Sequence, residues 1–293
     1  MASVKKTRRH RFGSHLSVAG GLHLAIAEAR RLTFDTVQVF VKNQRQWAAA
    51  PLRKDAIDAW HAALPADGFG PVVAHASYLI NLASADDALY EKSRRALADE
   101  LQRCDLLAIP YLVVHPGAAV GAPIPDAIRR VSAAINRIFD ATPASRSRLL
   151  LETTAGQGST LGRTFEELAE MIAGVRNAAR VGVCIDTCHV FAAGYDIRDA
   201  NAYAQMIALV ERTVGLESIR CWHLNDSRGA LGSRVDRHEH IGKGCIGDAG
   251  FANVLSDPRF FGLPMILETP KEQDSRGRDW DAVNLKRLIS RAK

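Results

Sequence analysis

The sequence predicts an α/β fold in which eight parallel strands, alternating with eight helices, close into a single barrel. Three observations predict it: short apolar runs recur, stretches with helical spacing separate them, and a His, Asp or Glu ends most runs. Runs of this kind end at His75, His115, Glu152, Asp186, His223 and Glu268. Successive ends lie roughly 30–45 residues apart, about the length of one strand-helix-strand unit. Since the carboxyl ends of barrel strands share one rim, we expect these side chains to meet there.

The chain length of 293 residues, with 47% hydrophobic side chains, suffices for one large barrel or for two ordinary domains. The repeating unit favours one barrel, and no domain boundary is evident. We therefore predict a single domain over residues 11–293. Residues 1–10 are rich in Lys and Arg, and we predict that they form a disordered basic tail.

Helical spacing separates the predicted strands in the first half of the chain. Leu22, Ala25, Ile26 and Ala29 recur at i, i+3, i+4 and i+7, which predicts a helix with one buried stripe. Pro51 is suited to open the next helix. The strands predicted in this half are 11–17, 35–40, a run that ends at His75, and 111–115.

Capping signals mark helices in the middle of the chain. Ser84, with Asp87 three residues later, resembles a capping box for a long helix over about 86–107. Thr164 with Glu167 is the clearest capping box in the sequence. Its helix is predicted to bury Phe165, Leu168, Ala169 and Ile172, and the closing helix is predicted to bury Ala282, Leu285, Leu288 and Ile289.

The second half completes the alternation. Its predicted strands are 148–152, 181–186, 219–223 and 264–268. Eight strands alternating with helices make a (β/α)8 barrel, the TIM barrel, with its site at the C-terminal rim of the strands. Residues 224–247 form an unusually long segment rich in Gly and charge, and a loop of that length in a compact domain is usually functional.

Nine residues are candidate metal ligands. His189 follows Asp186 by three residues, and Asp236 and His238 of the long segment point the same way if that segment is extended. The full set is His75, His115, Glu152, Asp186, His189, His223, Asp236, His238 and Glu268. A catalytic zinc takes three or four protein ligands, so nine suit two or three ions. Imidazole and carboxylate donors without thiolate fit Zn, Mn or Fe better than Mg or Ca.

Metal ions about 3.5–4 Å apart can share a hydroxide, orient it toward a phosphorus and neutralise a leaving oxygen. Phosphate ester cleavage is therefore the chemistry that best suits such a site. Deprotonation of a sugar and amide hydrolysis stay open on ligand count alone.

Composition limits the other classes of function. The formal charge is +6, but the N-terminal residues up to Arg11 supply five of those charges, so net charge alone does not indicate nucleic-acid binding. Five scattered cysteines without CxxC spacing indicate a reduced, intracellular, cytoplasmic protein. Cys184 and Cys221 are predicted core residues, whereas Cys188 lies beside His189 and could touch a metal. No apolar run is long enough to span a membrane.

Longer strings extend the pattern beyond single residues. They are GSHLSVAGG, KNQRQW, SYLINL, ETTAGQGSTLG, GVCIDTCHVFAAGYD, HLNDS, GSRVDRHEHIGKGCIG and LETP, spread from residue 13 to 270. Together these strings resemble the endonuclease IV family of apurinic/apyrimidinic endonucleases. The resemblance implies a TIM barrel that holds three zinc ions in a DNA-binding crescent, acts on double-stranded DNA in base excision repair, and is a monomer.

The resemblance also implies a role for each ligand. One zinc would take His75, His115 and Glu152; a second would share Glu152 and add Asp186, His223 and Glu268; a third would take His189, Asp236 and His238. By similarity, a hydroxide shared by two ions attacks the phosphate 5′ to an abasic site, and blocked 3′ ends are trimmed. The products would be a 3′-hydroxyl and a 5′-deoxyribose phosphate. Glu152 and Glu268 would be the catalytic residues, with Glu268 orienting or deprotonating the water.

DNA contacts are implied in the same way. Arg45, Tyr78 and Leu79 match family residues that wedge into the duplex at the lesion, and a side chain that fills the stack stabilises an extruded nucleotide. On the residues alone, Tyr78 and Leu79 could instead pack on the barrel top. The cations of the long segment are predicted phosphate contacts. They are Arg228, Arg234, Arg237 and Lys243.

Three positions depart from the family pattern. Ala76 stands where Asp is common, Thr153 stands where Asn is frequent, and no polar residue follows HPG at 115–117. Such changes are expected to weaken support for the ligands, which tunes metal affinity by roughly 10–100-fold.

Two alternative functions follow from the same ligands. A sugar isomerase or epimerase of the xylose-isomerase-like barrels would use one or two divalent ions on the same rim. A non-catalytic lesion-binding protein would lack ligands, and none is missing. The trio His189, Asp236 and His238 favours the endonuclease, because an isomerase has no evident need for a third ion.

Overall fold

Eight parallel strands form one sheet in the computed structural model, which describes residues 10–66 and 68–292. The strands are β1 (Arg11–Ser14), β2 (Gln38–Val39), β3 (Val73–His75), β4 (Tyr111–Val114), β5 (Arg148–Glu152), β6 (Val181–Asp186), β7 (Ile219–His223) and β10 (Pro264–Leu267). Their order is β1, β10, β7, β6, β5, β4, β3, β2. At the two ends of this order, His15 pairs with Gln38 and Leu16 N donates to Gln38 O at 2.9 Å, so the sheet closes. The predicted TIM barrel is confirmed.

Helices connect the strands along the described residues. They are α1 (Leu22–Arg31), α2 (Lys54–Ala63), α3 (Asp87–Leu106), α4 (Ile124–Ala141), α5 (Phe165–Ala173), α6 (Thr187–Ala193), α7 (Ala200–Thr213), α8 (Gly247–Ser256) and α9 (Trp280–Arg291). The long segment holds two short antiparallel strands, β8 (Asp226–Ser227) and β9 (His238–Glu239). The sequence patterns indicated neither this pair nor α6 as a separate helix.

Two helix starts and one capping box differ from the prediction. Helix α2 begins at Lys54, three residues after Pro51. Asp86, not Ser84, caps α3, because its Oδ1 accepts from Leu89 N at 2.9 Å. Thr164 caps α5 as predicted, but Glu167 accepts from Gly162 N and Arg163 N rather than from the cap residue.

The buried faces of α5 and α9 also differ from the predicted ones. Met171 is buried in α5, whereas Ala169 and Ile172 are half-buried. In α9, Ala282 is exposed, and the polar residues Asp281 and Asn284 are buried with Leu285 and Leu288. Hydrogen bonds explain the polar pair, since Asp281 accepts from Ser14 Oγ and Asn284 donates to Thr269 Oγ1.

The core has two parts. A large apolar cluster lies between the strands and the surrounding helices, and a smaller one fills the barrel interior. The interior cluster consists of Val73, Val113, Leu150, Cys184, Cys221 and Ile266. Each of these residues stands two positions before one of the six candidate ligands at the strand ends. Since side chains alternate across a strand, the same face that fills the barrel presents the ligands at its rim.

The predicted basic tail falls mostly on residues 1–9, which lie outside the described residues. His10, which we had assigned to the tail, is buried against the fold. Its Nε2 lies 2.8 Å from Leu255 O, and its ring stacks on Phe12. The ordered domain therefore includes His10.

Candidate metal centre

The nine candidate ligands converge at one rim of the barrel in three groups. The ligating atoms of each group lie within 4.8 Å of one another. The groups are His75, His115 and Glu152; Glu152, Asp186, His223 and Glu268; and His189, Asp236 and His238. Residues that are 193 positions apart in the chain, from 75 to 268, thus meet in one site.

Glu152 belongs to two groups and offers a different oxygen to each. Its Oε2 lies 3.2 Å from His75 Nε2 and 2.9 Å from His115 Nε2. Its Oε1 lies 2.9 Å from His223 Nδ1, which is also 3.1 Å from Glu268 Oε2. A fully buried carboxylate between two sets of donors is positioned to bridge two cations.

The third group depends on α6. Asp186 caps this helix, and its Oδ1 accepts from His189 N at 2.9 Å, which holds the helix start against β6. His189 Nε2 lies 3.2 Å from Asp236 Oδ1, and His238 Nε2 lies 3.5 Å from the same oxygen. Both Nε2 atoms are buried and make no hydrogen bond within the described residues. Two buried nitrogens in this state fit a metal ion better than any hydrogen-bonding role.

Hydrogen bonds fix which nitrogen each imidazole turns to the site. His75 Nδ1 lies 2.7 Å from Ala76 O, and His189 Nδ1 lies 2.7 Å from Thr153 O. His238 Nδ1 lies 3.2 Å from Glu268 O. Each contact makes Nδ1 the donor and leaves Nε2 free for a metal, the arrangement that metal-binding histidines usually have.

Charge is concentrated in the site. Burial alone would raise the pKa of Glu152, but His115 and His223 hold it well below its usual range. Burial of Asp236 is likewise outweighed by its contact with His189, which lowers the Asp236 pKa to about 2. The carboxylates are thus ionised at neutral pH, and protonated imidazoles balance them. Metal ions would take over that balance and displace the imidazole protons.

Two residues that the sequence analysis did not place in the site lie against Glu268. His15 Nδ1 is 3.2 Å from Glu268 Oε1, and Gln38 Nε2 donates to the same oxygen at 2.5 Å. Gln38 Oε1 also lies 2.8 Å from His223 Nε2. The available signal was a polar residue inside each of the first two predicted strands, His15 in 11–17 and Gln38 in 35–40.

Asn225 is a third residue that was missed. Its Nδ2 donates to Asp186 Oδ2 at 2.6 Å, and its Oδ1 accepts from Glu268 N at 2.8 Å. Thr187 holds Asn225 in place, since Thr187 Oγ1 accepts from Asn225 N at 2.8 Å. Asn225 therefore links two candidate ligands on β6 and β10.

The residues at the three positions that depart from the family pattern make hydrogen bonds in the structure. Thr153 is buried, and its Oγ1 accepts from Asp186 N at 3.0 Å while its carbonyl holds His189. Ala76 supports His75 only through its carbonyl oxygen. Ala118 follows the HPG motif, and its backbone N–H donates to Asn81 Oδ1 while its carbonyl accepts from Asn81 Nδ2. Backbone atoms and neighbouring side chains thus provide contacts at these positions.

Cys188 lies near Asp186 and His238, within ligand distance of both. Its Sγ also lies 3.7 Å from Arg237 O, and burial raises the pKa of its thiol to about 12.

The three residues implied to wedge into DNA lie on adjoining rim loops. Tyr78 is 60% exposed, and its ring centroid lies 5.2 Å from that of His75 and 5.6 Å from that of Phe40. Leu79 is half-buried and Arg45 is exposed. Ser77 Oγ donates to Gln44 O at 2.6 Å, so the two loops are joined.

The four cations of the long segment are exposed, but they are not equivalent. Arg228 Nε forms an ion pair with Glu239 at 3.0 Å. Arg234, Arg237 and Lys243 have no carboxylate within ion-pair distance among the described residues. Arg234 has a φ of 55°, a conformation that is uncommon outside Gly. These three charges are available to an anionic ligand.

In the described part of the chain, no helix combines the length and the apolar character that crossing a membrane requires.

Comparisons with known proteins agree with the barrel fold. The model of a family described as xylose isomerase-like TIM barrel matches residues 26–288. A protein named probable endonuclease 4 from Chloroflexus aggregans is 50% identical over 280 residues, covering 96% of this chain and 97% of that protein. A protein of the same name from Geobacter sulfurreducens is 44% identical over 283 residues, covering 95% of this chain and 94% of that protein.

Solved structures give the same result. The crystal structure of endonuclease IV from Thermus thermophilus superposes with a TM-score of 0.84 at 39% identity, covering 96% of this chain and 98% of that one. A D-tagatose 3-epimerase-like protein superposes with a TM-score of 0.72 at 19% identity, covering 96% and 98%. The second likeness shows the fold alone. On the family match and the identities to full-length relatives, the chain belongs to the endonuclease IV family of apurinic/apyrimidinic endonucleases.

Proposed function

We propose that this protein is a zinc-dependent endonuclease of base excision repair. It would hydrolyse the phosphodiester 5′ to an abasic site in duplex DNA, leaving a 3′-hydroxyl and a 5′-deoxyribose phosphate, and would also trim blocked 3′ ends. The observation that carries this proposal is the meeting of three donor groups at one rim, with Glu152 shared between two of them. The curated relatives named probable endonuclease 4 support it.

Three zinc ions would be held by the three donor groups, with Mn or Fe as substitutes. When bound, they would supply Lewis-acid neutralisation of the phosphate and a water of lowered pKa. Glu152 would hold two ions at a fixed separation through its two oxygens. Glu268, which Gln38 and His15 fix through one oxygen, would orient the attacking water and accept its proton.

Recognition of the lesion would depend on Arg45, Tyr78 and Leu79. The exposed Tyr78 ring stands over His75, so an abasic nucleotide displaced by this side chain would lie next to the donor groups. Arg234 and Arg237, which are exposed in the long segment, would bind backbone phosphates. We infer that the protein acts as a monomer inside the cell, where its DNA substrate is.

The sugar isomerase alternative has less support. The epimerase-like structures share the barrel at under 25% identity and so share only the fold. The cluster of His189, Asp236 and His238, in which two buried imidazole nitrogens face one carboxylate oxygen, has no evident use in a reaction that needs one or two ions.

Incision of a synthetic duplex with one tetrahydrofuran site tests the proposal. We expect cleavage 5′ to the site, loss of cleavage with a chelator, and recovery with zinc. Glu152→Gln should abolish cleavage but leave binding to the abasic duplex largely intact, because it removes the shared carboxylate and not the DNA contacts. Glu170→Gln, on the exposed face of α5, is the matched control. Full activity of Glu152→Gln, or cleavage that is insensitive to chelator, would contradict the proposal.

Tyr78→Ala tests how the lesion is recognised. We expect the substitution to weaken binding to the abasic duplex more than binding to intact duplex of the same sequence, because only the abasic duplex gains from a side chain that fills the stack. Loss of one base-stacking aromatic typically costs about 1–3 kcal/mol. Binding is measured by fluorescence anisotropy, with Leu106→Ala, another exposed apolar side chain, as control. Equal losses on both duplexes would count against a wedge.

A further inference from the structure

Two thiols lie directly beneath the metal centre, inside the barrel. Cys184 on β6 and Cys221 on β7 are register partners in the sheet, and both are fully buried. Each stands two residues before a candidate ligand, Asp186 and His223, so its side chain points into the barrel on the same face. The two Sγ atoms and a nitrogen of His223 lie within 4.8 Å of one another.

This separation is close to what a metal ion requires. Zinc–thiolate bonds of roughly 2.3 Å in a tetrahedral site place neighbouring donors roughly 3.5–4 Å apart, so a small side-chain movement is enough. The thiols have weak competing contacts: Cys221 Sγ faces Trp222 O at 3.7 Å. Val73, Val113, Leu150 and Ile266 complete the layer and exclude oxygen donors from it. Two sulfurs and an imidazole in apolar surroundings select thiophilic ions.

We propose that Cys184, Cys221 and His223 form a second metal site, for one thiophilic ion such as Cd2+ or Cu+. Binding would release the thiol protons, because the thiolate is the ligand. The site is distinct from the three oxygen and nitrogen groups, but it shares His223 with one of them.

Because His223 belongs to both sites, a metal ion bound by the two sulfurs would also affect the catalytic centre. His223 Nδ1 lies 2.9 Å from Glu152 Oε1, and its Nε2 lies 2.8 Å from Gln38 Oε1. An ion held by the two sulfurs must take one of these nitrogens, which breaks one of the two contacts and withdraws His223 from the catalytic centre. A thiophilic ion would therefore inhibit the enzyme from below the centre rather than by replacing zinc within it. This consequence for activity rests on the proposed function, whereas the binding site itself does not.

Cadmium titration of the metal-depleted protein tests the binding site. We expect a sulfur-to-cadmium charge-transfer band in the ultraviolet that saturates with one ion. Cys184→Ser and Cys221→Ser, which nearly preserve side-chain volume, should each lose most of the band. Cys188→Ala and Cys245→Ala are matched controls and should keep it, although Cys188 lies near Asp186 and His238. No band in the wild type, or an unchanged band in both Ser variants, would overturn the proposal.

A second measurement needs no variant. The 113Cd NMR resonance of the singly loaded wild-type protein should lie in the deshielded region typical of thiolate ligands. A resonance in the shielded region of oxygen and nitrogen ligands alone would overturn the proposal even if the Ser variants fail to fold.

Inhibition is then measured as the decrease in incision of the tetrahydrofuran duplex when CdCl2 is added. Loss of a hydrogen bond to a metal ligand already costs roughly 10–100-fold in metal affinity. Loss of a ligand itself should therefore raise the half-inhibitory CdCl2 concentration at least roughly tenfold in the Ser variants. Equal inhibition of wild type and both variants would overturn the inhibitory role. Absence of incision in any sample would instead contradict the proposed function and leave the cadmium binding result standing.

Discussion

His15 and Gln38 act on the site through Glu268. Both contact Glu268 Oε1, and Gln38 also reaches His223, so these two side chains fix two candidate ligands that lie on neighbouring strands. The side chain of His15 is 11% exposed, and its ring lies 4.3 Å from that of Phe40, which leaves it little freedom to turn. Residues in this position orient ligands and adjust their basicity.

We expect His15→Ala to weaken zinc binding by roughly 10–100-fold, because Glu268 loses one of two contacts to the same oxygen. Zinc affinity is measured by competition with a chromophoric chelator. His61→Ala, on the exposed surface of α2, is the control and should bind zinc as the wild type does. An unchanged affinity in His15→Ala would mean that the contact with Glu268 has no part in metal binding.

The strands and their ligands could be predicted from the sequence because both signals are local. Short, mostly apolar runs that end in His, Asp or Glu predicted the bounds of β5, β6 and β7 to the residue. His15 and Gln38 could not be found in this way, since Gly13 and Thr36 stand two residues before them, where the other six strands carry Val, Leu, Ile or Cys. Their role is evident only when barrel closure places them beside Glu268.

Among the elements, the loops of Arg45 and Tyr78 are held by a buried ion pair. Lys42 Nζ lies 3.3 Å from Glu100 on α3, and both side chains are 1% exposed. Glu100 also accepts from Ser77 N at 3.2 Å, and Ser77 contacts Gln44. One carboxylate on a rigid helix thus fixes both of the loops proposed to enter the duplex.

Burial raises the pKa of Glu100 to about 7 from 4.5, although Lys42 opposes the shift. Between these values the folded chain binds more protons than the unfolded chain, so the free energy of unfolding falls as pH rises from about 4.5 to 7. We expect Glu100→Gln to lose this part of the pH dependence. Urea unfolding of the metal-depleted protein at several pH values measures it, with Glu170→Gln as control. Parallel pH profiles for Glu100→Gln and the wild type would contradict the prediction.

Helix starts and the long segment were predicted less well than the strands. Pro51 and Ser84 are both signals of a helix start, but α2 begins at Lys54, and the Asp86 side chain caps α3, which begins at Asp87. In the long segment, the pairing of Asp226–Ser227 with His238–Glu239 brings distant residues together. No periodicity over two-residue strands can reveal such a pair.

The long segment gives a prediction for the salt dependence of DNA binding. Each lost phosphate contact lowers the slope of log K against log[salt] by about 0.9. We expect this change for Arg234→Gln, because its charge has no carboxylate partner in the described residues. Arg228→Gln should change the slope less, since Glu239 already neutralises Arg228. Binding to one abasic duplex is measured at several salt concentrations, and equal slopes for the two variants would contradict the prediction.

At the scale of the whole molecule, the barrel gathers charges that repel one another. Glu152, Asp186, Asp236 and Glu268 converge at the rim, three of them from the ends of β5, β6 and β10. In the metal-free protein, burial opposes protonation of His189 and His223, but their neighbours raise the pKa of both well above 6.5. Asp186, Asp236 and Glu152 act on His189, whereas Cys184, followed by Glu268 and Glu152, acts on His223. Stability gained from these protons is present at low pH and is lost as pH rises through the raised pKa values.

Zinc should reverse this pH dependence, because zinc binds neutral imidazole and replaces the protons. A ligand that binds only the folded chain stabilises it by about 2.7 kcal/mol at 100 times its Kd. The increase in unfolding temperature on adding zinc to the metal-depleted protein should therefore be larger at pH 8 than at pH 6. Glu152→Gln should show a smaller increase at both pH values, since it lacks the shared carboxylate, whereas Glu170→Gln should match the wild type. An increase that is the same at both pH values would mean that the rim imidazoles are not the groups that bind the metal.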